Sequence, residues 1–302
     1  MMRKERGVAV VLAMGVVAVA AIAATAIMAT QSSWTRRQEL AANHVQAQAF
    51  VQGGVDWIRT VLGEDLRTSN VDHLAEPWAL KLAPISVENG TVSVSVEDQQ
   101  SFFNINNLVK DGQVNLVEFA NFHRLLELLG LPAELASALI DWIDNDELPQ
   151  PDGAEDDYYL TLVPPYVAAN RPLVHVSELA LVRGFDDEVC ARLRPFVTAL
   201  PRPTALNVNT APAEVLSAVI GIDMDVARGL VAKRDLVYFR NLTDFAQALP
   251  DRTTTAGANL AVNSSFFVAA LRATIGQSEA RGTALLDRGM DRLPAIVWRK
   301  LL

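Results

Sequence analysis

Residues 6–29 read RGVAVVLAMGVVAVAAIAATAIMA, and no charged side chain occurs from Val8 to Ala29. A helix of this length is about one bilayer span. Basic residues precede the run within positions 3–6, and none lies inside it. Because flanking positive charge stays on the cytoplasmic side, the stretch predicts one membrane helix with the bulk of the chain outside the cytoplasm.

Three interpretations of this segment compete: a cleaved secretory signal, an uncleaved signal anchor, and a leader that is cut before the apolar run. A secretory signal has a shorter apolar core followed by small residues, and the segment from Ala20 to Ala29 offers such a site. The leader is favoured by Gly7, which separates the basic tail from the apolar run. Apolar residues then recur near helical spacing between Gln38 and Ile58, which predicts one long helix, half in the membrane and half amphipathic.

The residues from Arg6 to Leu12, RGVAVVL, resemble the leader junction of type IV prepilin-like proteins. The resemblance implies that a membrane-bound prepilin peptidase cuts after Gly7 and methylates the new amine of Val8. The sequence departs from the family at Leu12, the fifth mature residue, where most pilins carry glutamate. An unpaired carboxylate in lipid is costly, and a subunit that starts a filament has no earlier neighbour to pair with. The departure therefore fits a position at the tip.

The body of the chain has the pattern of a sheet divided by a helical block. Ile85 to Val96 alternates apolar and polar residues around Asn89-Gly90, a strong hairpin signal that predicts two antiparallel strands. From residue 104 to 249 helical segments are separated by proline and glycine. Three strand-length segments follow, at residues 266–274, 281–287 and 293–299. The predicted fold class is α+β: a pilin-like long N-terminal helix packed on an antiparallel sheet, with a large all-α, helix-hairpin-helix-like insertion.

This plan resembles the K subunits of bacterial type II secretion systems, which are large minor pseudopilins also called the general secretion pathway protein K family. In that family a helical insertion into the pilin sheet is the distinguishing feature. The resemblance divides the chain into a prepilin leader (1–7), a transmembrane and amphipathic helix (8–60), a first part of the pilin-like domain (61–103), an inserted helical domain with the acidic loop (104–250), and the last strands (251–302).

The helical block contains an internal repeat. FNIN at residues 103–106 and LNVN at residues 206–209 each precede a helical pattern, and Gly130, Gly184 and Gly221 each separate two helical segments. In DNA-binding proteins such helix-hairpin-helix units present backbone amides to phosphate. Here acidic residues follow each glycine and would repel phosphate. Hairpins that pack on one another are therefore favoured over the alternative, a membrane-anchored nucleic-acid-binding module.

An acidic loop holds the densest group of charged side chains. Eight carboxylates lie between Asp141 and Asp157, and no lysine or arginine occurs between Arg124 and Arg171. Such carboxylates repel one another and raise their own pKa values, and Ca²⁺, which takes about six to eight oxygen ligands, removes the conflict. The spacing is not that of an EF-hand, so the residues alone leave a solvated acidic loop as the alternative.

The loop from Asp141 to Tyr159, followed by ANRPL at residues 169–173, resembles the acidic, Gly-Ala-Glu-containing loop that binds structural calcium in the K family. The resemblance implies one or two structural calcium ions. The implied ligands are Asp141, Asp144, Asp146, Glu155, Asp156 and Asp157, with Glu147 and Asp152 as additional candidates.

Composition and the absence of motifs narrow the function further. A formal net charge of -9 argues against a general nucleic-acid surface. The single cysteine, Cys190, excludes an internal disulfide framework and a cysteine-rich zinc site. The sequence has no nucleophile elbow, phosphate loop, pair of metal-binding histidines or dinucleotide fingerprint. A hydrolase that uses the clustered acids is therefore less favoured than a structural subunit without catalytic residues.

The resemblance implies a structural role at the pseudopilus tip, where the subunit helps to initiate filament assembly and supports protein export across the outer membrane. The implied partners are minor pseudopilins of the I and J type, the major pseudopilin filament, the prepilin peptidase and exported proteins, with no nucleic acid. The implied location is the bacterial inner membrane, with one pass and the C-terminal domain in the periplasm.

Overall fold

The computed structural model describes residues 5–250, 253, 255, 257–289 and 293–301, with side chains from residue 8 onward. Residues 1–4 of the predicted leader lie outside the described residues. The helices are α1 (Glu5–Thr68), α2 (Leu116–Leu128), α3 (Leu135–Ile143), α4 (Asp156–Tyr159), α5 (Asp187–Leu193), α6 (Ala213–Ile220), α7 (Met224–Leu236) and α8 (Leu242–Ala248). The strands are β1 (Ile85–Val87), β2 (Gly90–Asp98), β3 (Phe103–Asn104), β4 (Val109–Lys110), β5 (Gln113–Val114), β6 (Val197–Thr198), β7 (Leu206–Asn207), β8 (Leu260–Ala261), β9 (Phe266–Ile275), β10 (Ser278–Asp287) and β11 (Ala295–Leu301).

Helix α1 is 64 residues long and has two different halves. Within the described residues it is the one helix long and apolar enough to cross a membrane, and none of its most apolar window is buried against the rest of the protein. The second half packs on the sheet. It continues to Thr68, beyond the predicted end at residue 60, because Leu62 is still fully buried in the sheet core.

Five antiparallel strands form the main sheet in the order β1-β2-β9-β10-β11. The chain leaves this sheet after β2 and returns to pair with it in β9, so the helical domain interrupts the sheet in sequence but not in space. Buried side chains at helical spacing place α1 on one face of the sheet: Ala47, Val51, Val55, Ile58 and Leu62. The predicted fold class is confirmed.

The predicted strands are present with shifted ends. Val87 pairs with Gly90, so the two turn residues of the first hairpin are Glu88-Asn89 rather than the expected Asn89-Gly90. Asn89 has a φ of 60°, a left-handed conformation that asparagine tolerates better than most residues. The last strand begins at Ala295 rather than Leu293, since Pro294 has no N–H to donate to a sheet.

The inserted domain has its own hydrophobic core and is built from two related halves. The second asparagine of each predicted repeat motif bonds both backbone groups of a distant residue. The Asn106 side chain bonds the N–H and C=O of Leu173, both at 2.9 Å. The Asn209 side chain bonds the N–H and C=O of Phe239 at 2.8 and 2.9 Å. The repeat is therefore a repeated backbone clamp, which closes a long connection in each half.

Each half also closes with a short parallel strand pair, β3 with β6 in the first and β7 with β8 in the second. Strand β8 lies at Leu260–Ala261, and Leu260 and Val262 pack against the core of the helical domain. The helical domain thus extends past its predicted end at residue 250. The reason is that β8 belongs to the second half by pairing, although its residues follow the last helix.

The helical domain lies at the end of α1 that is distant from the apolar half. The turn between β9 and β10 lies beside the middle of α1, where Arg36 bonds the Gln277 side chain at 2.8 Å. Strand β2 ends at the opposite end of the sheet, at Asp98. The buried Asp98 carboxylate accepts hydrogen bonds from Asn207 at 3.0 Å and Thr210 at 2.6 Å, both in the helical domain. These bonds fix the domain on the far end of the sheet.

Candidate metal centre

The acidic loop runs from the end of α3 to the start of α4. Asp144 is the residue that caps the C-terminal end of α3, and Glu155 is the residue immediately before α4. Between them, residues 149–153 (PQPDG) cannot continue a helix, because proline lacks an N–H and glycine is entropically unfavourable there. The chain turns back on itself and brings Asp144 and Glu155 together.

Three carboxylates converge in this loop. One oxygen of each of Asp144, Asp146 and Glu155 lies within 4.8 Å of the other two. Asp144 and Glu155 are buried, whereas Asp146 is exposed. Among the described residues, Asp144 Oδ1 and both oxygens of Glu155 have no hydrogen-bond partner. Buried carboxylate oxygens without partners are unfavourable unless a cation or a proton compensates them.

The electrostatics of the cluster follow from this geometry. Burial, then repulsion by Asp146 and Asp141, raises the pKa of Asp144 to about 6. Burial, then repulsion by the surrounding acids, raises the pKa of Glu155 to about 7. An oxygen-only donor set of this charge suits a hard cation such as Ca²⁺ better than the softer transition metals.

The other predicted ligands have different positions. Asp141 is fully buried, and both of its oxygens accept the N–H of Gln150 at 3.1 Å. Asp156 Oδ1 accepts the N–H of Ala168 at 2.8 Å. These two carboxylates hold the loop in shape. Three further predicted residues are exposed and lie outside the three-carboxylate group: Glu147, Asp152 and Asp157.

A glycine inside the loop supports the role of Asp141. A Cβ atom on Gly153 would lie 1.8 Å from Asp141 Oδ2 and 3.0 Å from the carbonyl oxygen of Gln150. No side chain fits there without moving the carboxylate that closes the loop. Gly153 therefore lets the backbone of the loop come close to the Asp141 carboxylate. Glu155, two residues later, is placed in the three-carboxylate group by the same path of the chain.

Sequence reasoning missed one further oxygen atom. Asn170 Oδ1 is buried and has no hydrogen-bond partner among the described residues. The backbone N–H of Asn170 bonds the carbonyl oxygen of Trp142 at 3.0 Å, so the residue lies beside the end of α3. Side-chain amide oxygens are ordinary calcium ligands. The only feature of the sequence that points to Asn170 is its place in the ANRPL segment at residues 169–173. A neutral residue does not contribute to a cluster of charges.

A second group of acids has its partners within the protein and does not need a metal ion. Asp65, Asp72 and Glu76 also bring oxygens within 4.8 Å of one another. The guanidinium of Arg288 forms ion pairs with Asp65 and Asp72, and Glu76 Oε2 accepts the indole N–H of Trp78 at 2.8 Å. Side chains of the protein itself therefore partner all three of these carboxylates.

The stability of the metal-free protein is expected to fall as pH rises from about 5 to about 8. The pKa values of Asp144 and Glu155, and those of buried Asp98 and Glu76, are all raised in the folded state. Their contribution is complete below the unfolded-state pKa values and is lost as pH rises through about 6 to 7. We expect a loss on the order of 2 kcal/mol in chelator.

Thermal denaturation across this pH range in chelator measures the effect. Calcium should remove the part of this loss that comes from Asp144 and Glu155, because the ion replaces the proton as the partner of these two carboxylates. A chelated protein that gains stability as pH rises over the same range would contradict the geometry of the cluster.

The hairpin glycines do form turns, and the acids after Gly184 and Gly221 have a structural role. Gly130, Gly184 and Gly221 all have positive φ, of 59°, 84° and 74°. Asp186 caps α5 by accepting the N–H of Val189, and Asp223 caps α7 in the same manner. A carboxylate therefore already occupies the N-termini of α5 and α7, where a phosphate would otherwise bind.

A long apolar helix, an antiparallel sheet on its second half and an inserted domain at its far end define a pilin-like subunit of a cell envelope. Comparison with known proteins specifies the family. Two family models match the chain, at residues 101–202 and 206–263, and both are described as "Type II secretion system (T2SS), protein K". These two ranges coincide with the two halves of the helical domain. The chain belongs to the type II secretion system protein K family.

Related sequences and a solved structure agree with this assignment. The chain is 34% identical to type II secretion system protein K of Pseudomonas aeruginosa, over 96% of this chain and 91% of that protein. It is 31% identical to the Klebsiella pneumoniae protein, over 95% and 94% of the two chains. It also resembles a chain in the GspK-GspI-GspJ complex of enterotoxigenic Escherichia coli, with a TM-score of 0.77 and 25% identity over 89% of this chain and 99% of that chain.

Proposed function

We propose that this protein is a minor pseudopilin that occupies the tip of a type II secretion pseudopilus, where it helps to initiate filament assembly and supports protein export across the outer membrane. The observation that carries the proposal is the placement of the helical domain at the end of α1 opposite the apolar half. Pilin-like subunits stack through their long helices, so a bulky domain in that position leaves no room for a subunit above it. The role is structural, and we propose no catalytic residue.

The N-terminal segment supports the same role. We propose that a prepilin peptidase cuts after Gly7 and that Val8 becomes the methylated first residue. Leu12 then stands where most pilins carry glutamate, which suits a subunit with no earlier neighbour. The apolar half of α1 would cross the inner membrane once, with the C-terminal domain in the periplasm.

The similar Escherichia coli chain was solved in a GspK-GspI-GspJ complex, and we propose equivalent I-type and J-type minor pseudopilins as the partners of this chain. The major pseudopilin filament would continue below them, and exported proteins would be further contacts. Nucleic acid is not proposed as a partner, because Asp186 and Asp223 occupy the helix N-termini of their hairpins.

We propose that the acidic loop binds structural calcium, as one or two ions. Asp144, Asp146 and Glu155 would supply the carboxylate ligands, and Asn170 Oδ1 is a further candidate. The support is the set of buried oxygens without partners. Asp141 and Asp156 would act by holding the loop, while Asp157, Glu147 and Asp152 would contribute only if a second ion binds at the exposed side.

Complex formation tests the tip assignment. The full chain, extracted in detergent and mixed with the I-type and J-type subunits of the same secretion system, is expected to elute with both in one complex on size exclusion. The major pseudopilin alone, in the same assay, is the control and should not replace the I and J subunits. Elution of this chain as a free species in the presence of both partners would count against the proposal.

A further inference from the structure

A short loop beside the acidic cluster exposes aliphatic side chains to an unusual degree. We call residues 160–165 (LTLVPP) the apolar finger. Val163 is 97% exposed, the highest value among the large apolar side chains that the structure describes, and Leu160 is 55% exposed. Single exposed apolar residues are ordinary on protein surfaces. What sets this loop apart is how firmly its base is held.

The base of the finger is fixed by aromatic residues. Tyr159 is fully buried and stacks on Tyr166, with 5.3 Å between ring centroids. The N–H of Tyr166 bonds the carbonyl oxygen of Tyr159 at 3.4 Å, which closes the loop at its neck. Tyr166 Oη donates to the carbonyl oxygen of Leu181 at 2.9 Å. The half-buried Leu162 packs against the core of the helical domain.

The tip of the finger is stiff as well. Pro164 and Pro165 follow Val163, and proline fixes its own φ and restricts the residue before it. The side chain of Thr161 donates to the carbonyl oxygen of Tyr158 at 2.6 Å. An exposed apolar side chain on a preorganised loop loses little conformational entropy on binding, as is typical of anchor residues in interfaces.

The charge around the finger indicates what kind of partner fits. Asp156 and Asp157 precede the finger by a few residues, and Asp157 is exposed. The basic side chain of Arg183 already has partners within the protein. Its Nη1 donates to the carbonyl oxygen of Gly153 at 2.7 Å, and its guanidinium lies over the Tyr158 ring. Asp157, the exposed acid that lies nearest to the finger in the sequence, would repel anionic lipid headgroups.

We infer that the apolar finger is a docking element, with Val163 as anchor and Leu160 beside it, for a partner protein that has an apolar pocket bordered by lysine or arginine. The pocket would take the aliphatic tip, and the basic border would meet Asp157 and its acidic neighbours. Complementary charge of this kind raises association rates and selects the partner. This docking does not require calcium in the acidic loop, and the inference therefore goes beyond the proposed metal site.

In-cell photocrosslinking tests the inference. A photoreactive benzoylphenylalanine is placed at position 163 of the full chain in cells with an active secretion system, and the crosslinked residue of the partner is mapped. We expect one protein, contacted in an apolar pocket next to lysine or arginine. Asp157→Lys should lower the crosslink yield, and changing the mapped basic residue of the partner to glutamate should restore it. Crosslinks to lipid only, or only to a second copy of this chain, would overturn the inference.

A matched pair of variants gives the functional readout. The double variant Leu160→Ser and Val163→Ser should lower export about 10-fold, as loss of an interface anchor commonly does. Leu236→Ser, at a side chain that is 87% exposed in the other half of the helical domain, is the control and should export normally. Both variants should keep the wild-type melting temperature. Normal export by the double variant would also overturn the inference.

Discussion

Glu155→Gln is expected to abolish the stabilisation of the protein by calcium. In the wild type, free calcium at about 100 times its Kd should raise the free energy of unfolding by about 2.7 kcal/mol. The variant replaces a buried carboxylate, whose two oxygens have no other partner among the described residues, by an amide that carries no negative charge and offers one ligand oxygen instead of two. The calcium-dependent gain should then disappear.

The same variant should have the opposite effect in chelator. Without calcium, Glu155 suffers repulsion from Asp141, Asp144 and Asp146, which contributes to its raised pKa. Removing that charge at about pH 8 should stabilise the chelated protein by on the order of 1 kcal/mol.

Differential scanning calorimetry with calcium and with chelator measures both effects. Asp157→Asn is the matched control, because Asp157 is exposed and lies outside the three-carboxylate group. It should retain the calcium response of the wild type. If the Glu155→Gln protein keeps that response, or the wild type never shows one, the assignment of Glu155 as a ligand is wrong.

Arg288→Met is expected to cost about 3–5 kcal/mol of stability. Arg288 is buried, and its guanidinium pairs with Asp65 at 2.8 Å and also with Asp72. It further donates to the carbonyl oxygen of Ser264 at 2.7 Å. Removing the arginine leaves buried carboxylates at the junction of α1, the sheet and the helical domain with no cation to balance them.

An exposed ion pair provides the control for this prediction. Arg202 pairs with Asp287 in the same region, but its side chain is 47% exposed. Arg202→Met should therefore change stability by about 0–1 kcal/mol. Urea denaturation of the two variants compares them directly. Equal losses would show that the buried network is not what holds the helical domain on the sheet.

Much of the fold was predictable because its signals are local. The apolar run after Gly7 and the alternation around Asn89 specify a membrane helix and a hairpin without reference to the rest of the chain. The pairing of β2 with β9 across the insertion is not local. The resemblance to a family with a divided sheet predicted that strands before and after the insertion share one sheet, but it did not predict the strand order, because periodicity does not say which strands are neighbours.

The candidate metal site was predictable as a region but not atom by atom. Eight acids in one segment indicate a cation, yet the path of the loop decides which of them converge. Asp141 and Asp156 have the same chemistry as Asp144 but accept backbone N–H groups instead. Asn170 lies far along the chain from Glu155 and is neutral, so neither spacing nor charge could identify it.

The helical hairpins show a different limit of prediction from sequence. In the sequence, the acids after Gly184 and Gly221 indicate only negative charge that would repel phosphate. Asp186 and Asp223 are helix caps, a role that Asp commonly has at the residue before a helix. The FNIN and LNVN motifs were predicted as a repeat, but their function as backbone clamps depends on Leu173 and Phe239, which lie far away in sequence.

The most direct test of the pseudopilin assignment is the mass and N-terminal sequence of the membrane-extracted protein, expressed with and without a prepilin peptidase. We expect a mature chain that begins at methylated Val8 only when the peptidase is present, and a chain that retains Gly7 when it is absent. Cleavage beyond Ala20, or an N-terminus that does not depend on the peptidase, would contradict the assignment and favour a secreted or simply anchored protein.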